Sequence, residues 1–144
     1  MADISDSLKN LARIGKLAAE SGTPGEIEGL LASGSERLAD ARNVTLALSS
    51  RFDLAYIAAH AFSLAALRWH GYRSDSRYVV FQALPHTLGL PAAVWRVIAK
   101  AHAVRNVAEY EGRFDADPTL LRNLIEAAEA VRAAVAALPA LPQG

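Results

Sequence analysis

The sequence contains no cysteine. That excludes disulfide bridges, a thiolate nucleophile and a cysteine-based zinc site. It shows no excess of charge of either sign: 15 Lys and Arg balance 15 Asp and Glu across 144 residues, for a net charge of zero. A protein that holds long nucleic acid by its phosphates carries a basic excess, so any nucleic-acid contact here rests on a local patch or is weak and brief. No run of about 18 uninterrupted apolar residues occurs, so no membrane span is expected. The most apolar stretch, Leu54 to Leu67, still holds His60 and Ser63 and reads as a buried helix. The opening residues, Met1 to Asp6, lack a basic region followed by an apolar run, so they do not read as a leader, and a cytoplasmic chain is expected.

Phosphate loops and common catalytic signatures are also missing. Gly22, Gly25, Gly29 and Gly34 are scattered among helical signals and match neither a P-loop nor a dinucleotide fingerprint. Ser49, Ser50, Ser63 and Ser76 lie in no Gly-x-Ser-x-Gly context, which argues against a serine hydrolase. The four histidines, His60, His70, His86 and His102, show neither His-Glu-x-x-His nor Glu-x-x-His spacing, so no metal or other cofactor is expected.

What is present is helix. At 144 residues the chain reads as one domain with a real core, burying roughly two-thirds of its unfolded surface. A first helix is predicted over about Ile4 to Glu20, with Leu8, Leu11, Ile14 and Leu17 on one side and Gly22 as its stop. Thr23-Pro24-Gly25-Glu26 fits a capping box with proline in the first turn. The second helix follows, with an interruption expected at Ser33-Gly34-Ser35 and an end near Asn43. Ser49-Ser50 suits the start of a helix from Arg51 to Trp69, closed by His70-Gly71-Tyr72. Leu54, Ile57, Ala61, Leu64 and Ala65 cover one side of it; Tyr56, Ala59, Phe62 and Ala66 cover much of another. Such a helix is central to a bundle or buries its second side in a homodimer, and the dimer is the favoured expectation.

Ser74-Asp75-Ser76 offers the next start, for Tyr78 to Leu88, with Pro85 expected to kink or shorten that helix. Gly89-Leu90-Pro91 breaks the chain again, and a helix from Ala92 to Tyr110 ends before Gly112. Asp117-Pro118 starts the last, whose Leu121, Leu124, Ala128, Val131, Val135 and Leu138 form a seam before Pro139 and Pro142 end the order. The sum is an all-α, antiparallel up-and-down bundle of four to five main helices.

One segment carries chemistry. His102, Arg105, Asn106, Glu109 and Tyr110 crowd nine positions beside the apolar stripe Val94, Val97, Ile98, Ala101, Val104 and Ala108. Steps of three and four make the polar residues neighbours on the helix surface. One reading is structural: Arg105 pairs with Glu109 and Asn106 caps a nearby group. The other is an anion or phosphate site, in which the planar guanidinium of Arg105 suits phosphate and His102 adds a donor or a proton-transfer group. Elsewhere, His60 reads as a core or interface histidine, His70 as a helix end, and Trp69-His70-Gly71-Tyr72-Arg73 as aromatic packing at the rim of the bundle.

The order of Leu38-Ala-Asp40-Ala-Arg42-Asn43, then Ser50-Arg51-Phe52-Asp53-Leu54-Ala55-Tyr56, then Gly71-Tyr72-Arg73, then Arg105-Asn106-x-x-x-Tyr110 resembles HEPN domains, over about residues 25–138. The resemblance implies a four-to-five-helix bundle, commonly homodimeric. Many members of that family are metal-independent ribonucleases or toxins, often paired with a nucleotidyltransferase or antitoxin partner; others are thought to bind nucleotides. It further implies that Arg105 and Asn106 are the first part of the active motif. The histidine that follows in active members is absent, and Tyr110 stands five residues after Arg105. A tyrosine with its ordinary pKa near 10 is a poor general base at neutral pH, though it donates hydrogen bonds and stacks on bases. Three functions follow: a nucleotide- or RNA-phosphate-binding module using Arg105, Asn106 and Glu109; a ribonuclease using Arg105 with His102 or Tyr110; or a non-catalytic dimeric interaction protein.

Overall fold

The computed structural model describes residues 4–142; Met1 to Asp3 of the opening stretch, and the closing Gln143-Gly144, lie outside them. Seven helices and a two-stranded ribbon follow in order: α1 (Ile4–Arg13), β1 (Ala18–Ala19), α2 (Pro24–Ala41), α3 (Leu48–Trp69), β2 (Tyr72–Arg73), α4 (Arg77–Gln82), α5 (Leu84–Thr87), α6 (Ala92–Glu111) and α7 (Pro118–Ala136). Four long helices, α2, α3, α6 and α7, make the all-α bundle expected from the sequence. Among the described residues no helix is long and apolar enough to cross a membrane.

Long-range polar contacts fix the directions. Arg51, in the first turn of α3, donates through Nε to the carbonyl of Ala41 at the end of α2, at 2.8 Å. At the other end Arg68 meets Glu26, in the first turn of α2, at 2.5 Å. The two helices are therefore an antiparallel hairpin. Trp69 Nε1 donates to the Pro139 carbonyl at 2.7 Å, so α3 and α7 finish at the same end. With α6 running back between them, the long helices alternate in direction.

Helix α3 is the centre. Phe52, Ala55, Tyr56, Ala58, Ala59, Phe62, Ala65, Ala66 and Leu67 are all at most 1% exposed. The side carrying Tyr56, Ala59, Phe62 and Ala66 is covered within the chain, while on the other side Leu54 and Leu64 are half-buried and Ile57 is 37% exposed. A smaller cluster of Leu8, Leu17, Leu67, Val79, Val80 and Ala83 docks α1 and α4 beside it. Ser63, fully buried, donates to the Ala59 carbonyl one turn back at 2.7 Å, the usual way a helix hides a hydroxyl.

Local signals placed most boundaries. Thr23, Ser76 and Asp117 each accept a hydrogen bond from the backbone N–H three residues on, which satisfies one orphan donor of the first turn. Gly112, at φ 68°, ends α6 in a left-handed cap. Pro85 sits in the first turn of α5, separating it from α4.

Three boundaries differ from the sequence reading. Helix α1 ends at Arg13 rather than Glu20, and Ala18–Ala19 pairs antiparallel with Tyr72–Arg73. Ile14, off the helix, is 65% exposed, while Leu17 is buried through the turn. Helix α2 is not interrupted at Ser33-Gly34-Ser35, because Gly34 lies directly on the Phe62 ring and its missing side chain is what lets α2 approach α3. Helix α3 starts at Leu48, so Ser49 and Ser50 fall in its first turn and Ala47, without a side-chain cap, stands at the N-cap.

Candidate functional site

The polar face of α6 meets α3 and the start of α4 at a cavity of about 380 Å³. Its floor is Tyr56 of α3, a side chain 1% exposed overall. The Tyr56 hydroxyl lies 2.7 Å from His102 Nδ1, and Asn106 Nδ2 lies 3.3 Å from His102 Nε2. A neutral imidazole has one donor and one acceptor nitrogen. With the Asn106 amide as placed, its NH2 donates to Nε2 and Nδ1–H donates to the Tyr56 hydroxyl; with the amide turned over, Nε2–H donates to its oxygen and Tyr56 donates to Nδ1. Both schemes lock the ring. The Tyr78, Phe81 and Tyr56 rings lie about it with centroids 5.9–6.2 Å away.

Arg105 sits one turn along. Its guanidinium carbon stands 4.9 Å from the centre of the Tyr56 ring, a cation–π distance. Its carboxylate contacts are long: Nε to Asp53 at 3.9 Å and NH1 to Glu109 at 3.5 Å. The expected pairing with Glu109 is thus present but stretched, and the fork is only partly committed. A second cation, Arg77 at the start of α4, stands 5.9 Å from the same Tyr56 ring and has no carboxylate within ion-pair distance among the described residues.

Charge and burial set the protonation states. Burial raises the Tyr56 phenol above its ordinary pKa, against the opposing pull of Arg77 and Arg105. Burial lowers His102 below the usual imidazole value, and the charges of Arg77 and Arg105 lower it further. His102 is therefore neutral at pH 7. His60, half-buried edge-on against Phe81 at 5.8 Å, is pushed down to about 4, first by burial and then by the charges of Arg77, His102 and Arg105.

A pH dependence of stability follows. The unfolded His60 takes up its proton near pH 6.5, but the folded one resists it until about pH 4. Between those values the unfolded chain binds more protons, so stability falls as pH falls through that window. Going from pH 7 to pH 5 should lower the unfolding free energy by about 2 kcal/mol, with His102 adding in the same direction. Urea unfolding at the two pH values tests this: His60→Gln should lose most of the difference, and a variant with an unchanged difference would remove His60 as its source.

The structure thus brings together every residue named on α6. His102, Arg105, Asn106, Glu109 and Tyr110 all line the one cavity, although Tyr110 is 80% exposed and stands at its mouth. Sequence reading missed Tyr56, Arg77 and Tyr78, which come from two other elements. The available signal was Arg77-Tyr78 directly after the Ser76 cap, a cation and an aromatic at a helix start.

Other candidates resolve into structure. His70 is the C-cap of α3, its Nε2 2.7 Å from the Thr87 carbonyl, and Trp69 packs edge-on to it at the bundle rim. Arg73 pairs with Glu20 and Asp75. Among the described residues no group of three His, Asp or Glu is placed to hold a metal ion. Comparison with family models, curated proteins and solved structures finds no match to this chain.

Proposed function

We propose that this protein is a HEPN-like helical module that binds a nucleotide or RNA phosphate at Arg105 and Asn106. The observation that carries the reading is the setting of Arg105: a guanidinium held over Tyr56, beside a locked neutral His102, with its carboxylate contacts stretched to 3.5 and 3.9 Å. An arginine in that state exchanges weak ion pairs for a bidentate contact with phosphate at little cost. The absence of net charge suits a small or terminal ligand better than a long duplex. The company proposed for the domain, a second copy of the chain and a nucleotidyltransferase or antitoxin partner, rests on the HEPN resemblance.

A second reading, metal-independent RNA cleavage, draws on His102. A neutral imidazole at pH 7 is competent to accept a proton from a ribose 2′-hydroxyl. That oxygen would attack the adjacent phosphorus, the bond to the 5′-oxygen would break, and Arg105 would stabilise the charge gathering on the phosphoryl oxygens. Tyr110, at the cavity mouth, is the remaining candidate to donate a proton to the leaving oxygen. Both ring nitrogens of His102 are already engaged by Tyr56 and Asn106, which favours binding over catalysis.

Purified protein titrated with AMP, beside Arg105→Ala, tests the first reading. Affinity should fall about tenfold or more, as for loss of a charged hydrogen-bond donor, with the thermal midpoint nearly unchanged. Equal affinities in the two proteins would end the proposal. The same pair incubated with RNA and no metal, beside His102→Gln, tests the second: cleavage by the parent protein that is lost in both variants would place the reaction at this site with His102 as the base.

A further inference from the structure

We infer that the cavity holds the unpaired base of a nucleotide as well as its phosphate, with Tyr78 as the stacking platform and Arg77 as a second phosphate ligand. The inference rests on the phosphate-binding reading above and extends it to residues of α4 that the α6 motif does not include.

The first observation is the placement of exposed aromatic surface. Tyr78 is 43% exposed and Tyr110 80% exposed, and both line the Arg105 cavity. Single exposed aromatics are ordinary on a protein surface, but these two share one polar cleft with an arginine. Tyr78 is held, not loose: Trp95 of α6 packs edge-on against it with ring centres 6.4 Å apart, and His102 lies tilted at 6.2 Å. A ring held by two neighbours and still 43% exposed offers stacking surface to a base at little cost in side-chain freedom.

The second observation is Arg77. It lies next to Tyr78 in the chain, its guanidinium approaches the same Tyr56 ring as Arg105 and hydrogen-bonds that phenol, and among the described residues no carboxylate pairs with it. Two guanidiniums line the one cavity, Arg105 only weakly paired, and both attract an anion bound there. A phosphate monoester carries nearly two charges near neutral pH and gives each arginine an oxygen pair. Base on Tyr78 and phosphate between Arg77 and Arg105 fit a volume of about 380 Å³, at the small end of ligand clefts. A base stacked inside a duplex offers no free face, so the site selects free nucleotides or single-stranded ends over duplex.

Calorimetric titration with AMP and with ribose 5-phosphate separates this inference from the reading beneath it. The parent protein should bind AMP about tenfold more tightly than ribose 5-phosphate, the usual worth of one stacked base. Tyr78→Leu, which keeps apolar packing on Trp95, should erase that ratio and leave ribose 5-phosphate affinity within about twofold. Arg77→Gln should weaken both ligands alike, by about tenfold. Equal binding of the two ligands by the parent protein, still lost in Arg105→Ala, overturns the base platform and leaves the phosphate site standing. Binding of neither ligand by the parent protein overturns both. Circular dichroism of each variant guards against misfolding, and a Tyr78→Phe protein that retains the AMP preference would show that the ring face, rather than the hydroxyl, is what the base meets.

Discussion

Arg68→Ala should cost the fold about 2–3 kcal/mol, because a buried guanidinium and its charged hydrogen bonds are lost, while Glu26, 35% exposed, keeps its water. The Arg68 side chain is 8% exposed. Its fork reaches both carboxylate oxygens of Glu26, at 2.5 and 3.3 Å, and the backbone carbonyls of Glu20, Ser21 and Tyr72 at 2.8–3.2 Å. The bonds to Glu26 hold the guanidinium still more firmly charged. One side chain thereby ties the end of α3 to the start of α2, to the segment after β1 and to β2. Alanine would leave three carbonyls without their donor and a carboxylate without its counter-charge. Urea denaturation should show a large drop in midpoint with little change in slope. Arg68→Lys should recover only part of it, because an ammonium cannot serve a planar carboxylate and three carbonyls at once. A loss in Arg68→Ala of less than about 1 kcal/mol would mean that water replaces the network.

Gly34→Ala should also destabilise the fold, against the ordinary trend in helices. In an exposed helix interior the change gains about 1 kcal/mol. Here a Cβ would stand 2.5 Å from Cε1 and 3.0 Å from two further carbons of the Phe62 ring, and Phe62 is fully buried. The ring has nowhere to go, so α2 must move off α3 or the ring must leave its rotamer, at a cost of about 1–3 kcal/mol or more. The net expectation is a loss of about 1 kcal/mol or more. Gly34→Ala combined with Phe62→Leu should lose less than the two single changes added, because the second makes room for the first. A Gly34→Ala protein as stable as the parent would show that the hairpin is loosely packed.

These two residues also show where the sequence is readable and where it is not. Caps are local chemistry: a Thr, Ser or Asp reaching the N–H three residues on leaves its mark in adjacent letters, and Thr23, Ser76 and Asp117 are legible for that reason. Gly34 reads as a helix breaker because its partner, Phe62, lies 28 positions away in the sequence, arithmetic that no local pattern contains. Arg68 carries no signal at all, since three of its acceptors are backbone carbonyls that any residue type supplies. Apolar spacing extends helix α1 too far because Leu17 keeps the period; Gly15, at φ 82°, stops the helix locally, with the Lys16 and Leu17 N–H groups turned back to the Leu11 carbonyl.

The site divides the same way. The face of α6 follows from spacing on one helix. Tyr56 reads as apolar covering of α3, which is true of its ring, while its hydroxyl faces His102. Arg77 and Tyr78 reach the cavity only because the turn after α3 folds α4 back beside α6.

Tyr56 belongs to two constituencies at once. Its ring is part of the packed interior, and its hydroxyl holds His102 while two arginines rest on its face. Change at this position is screened twice, once for folding and once for the cleft, so few replacements survive both tests. Tyr78, Glu109 and Tyr110 stand at the rim with open faces and can vary without disturbing the interior. Divergence among descendants of this chain would then be lopsided: a nearly frozen floor under a rim free to explore new ligands.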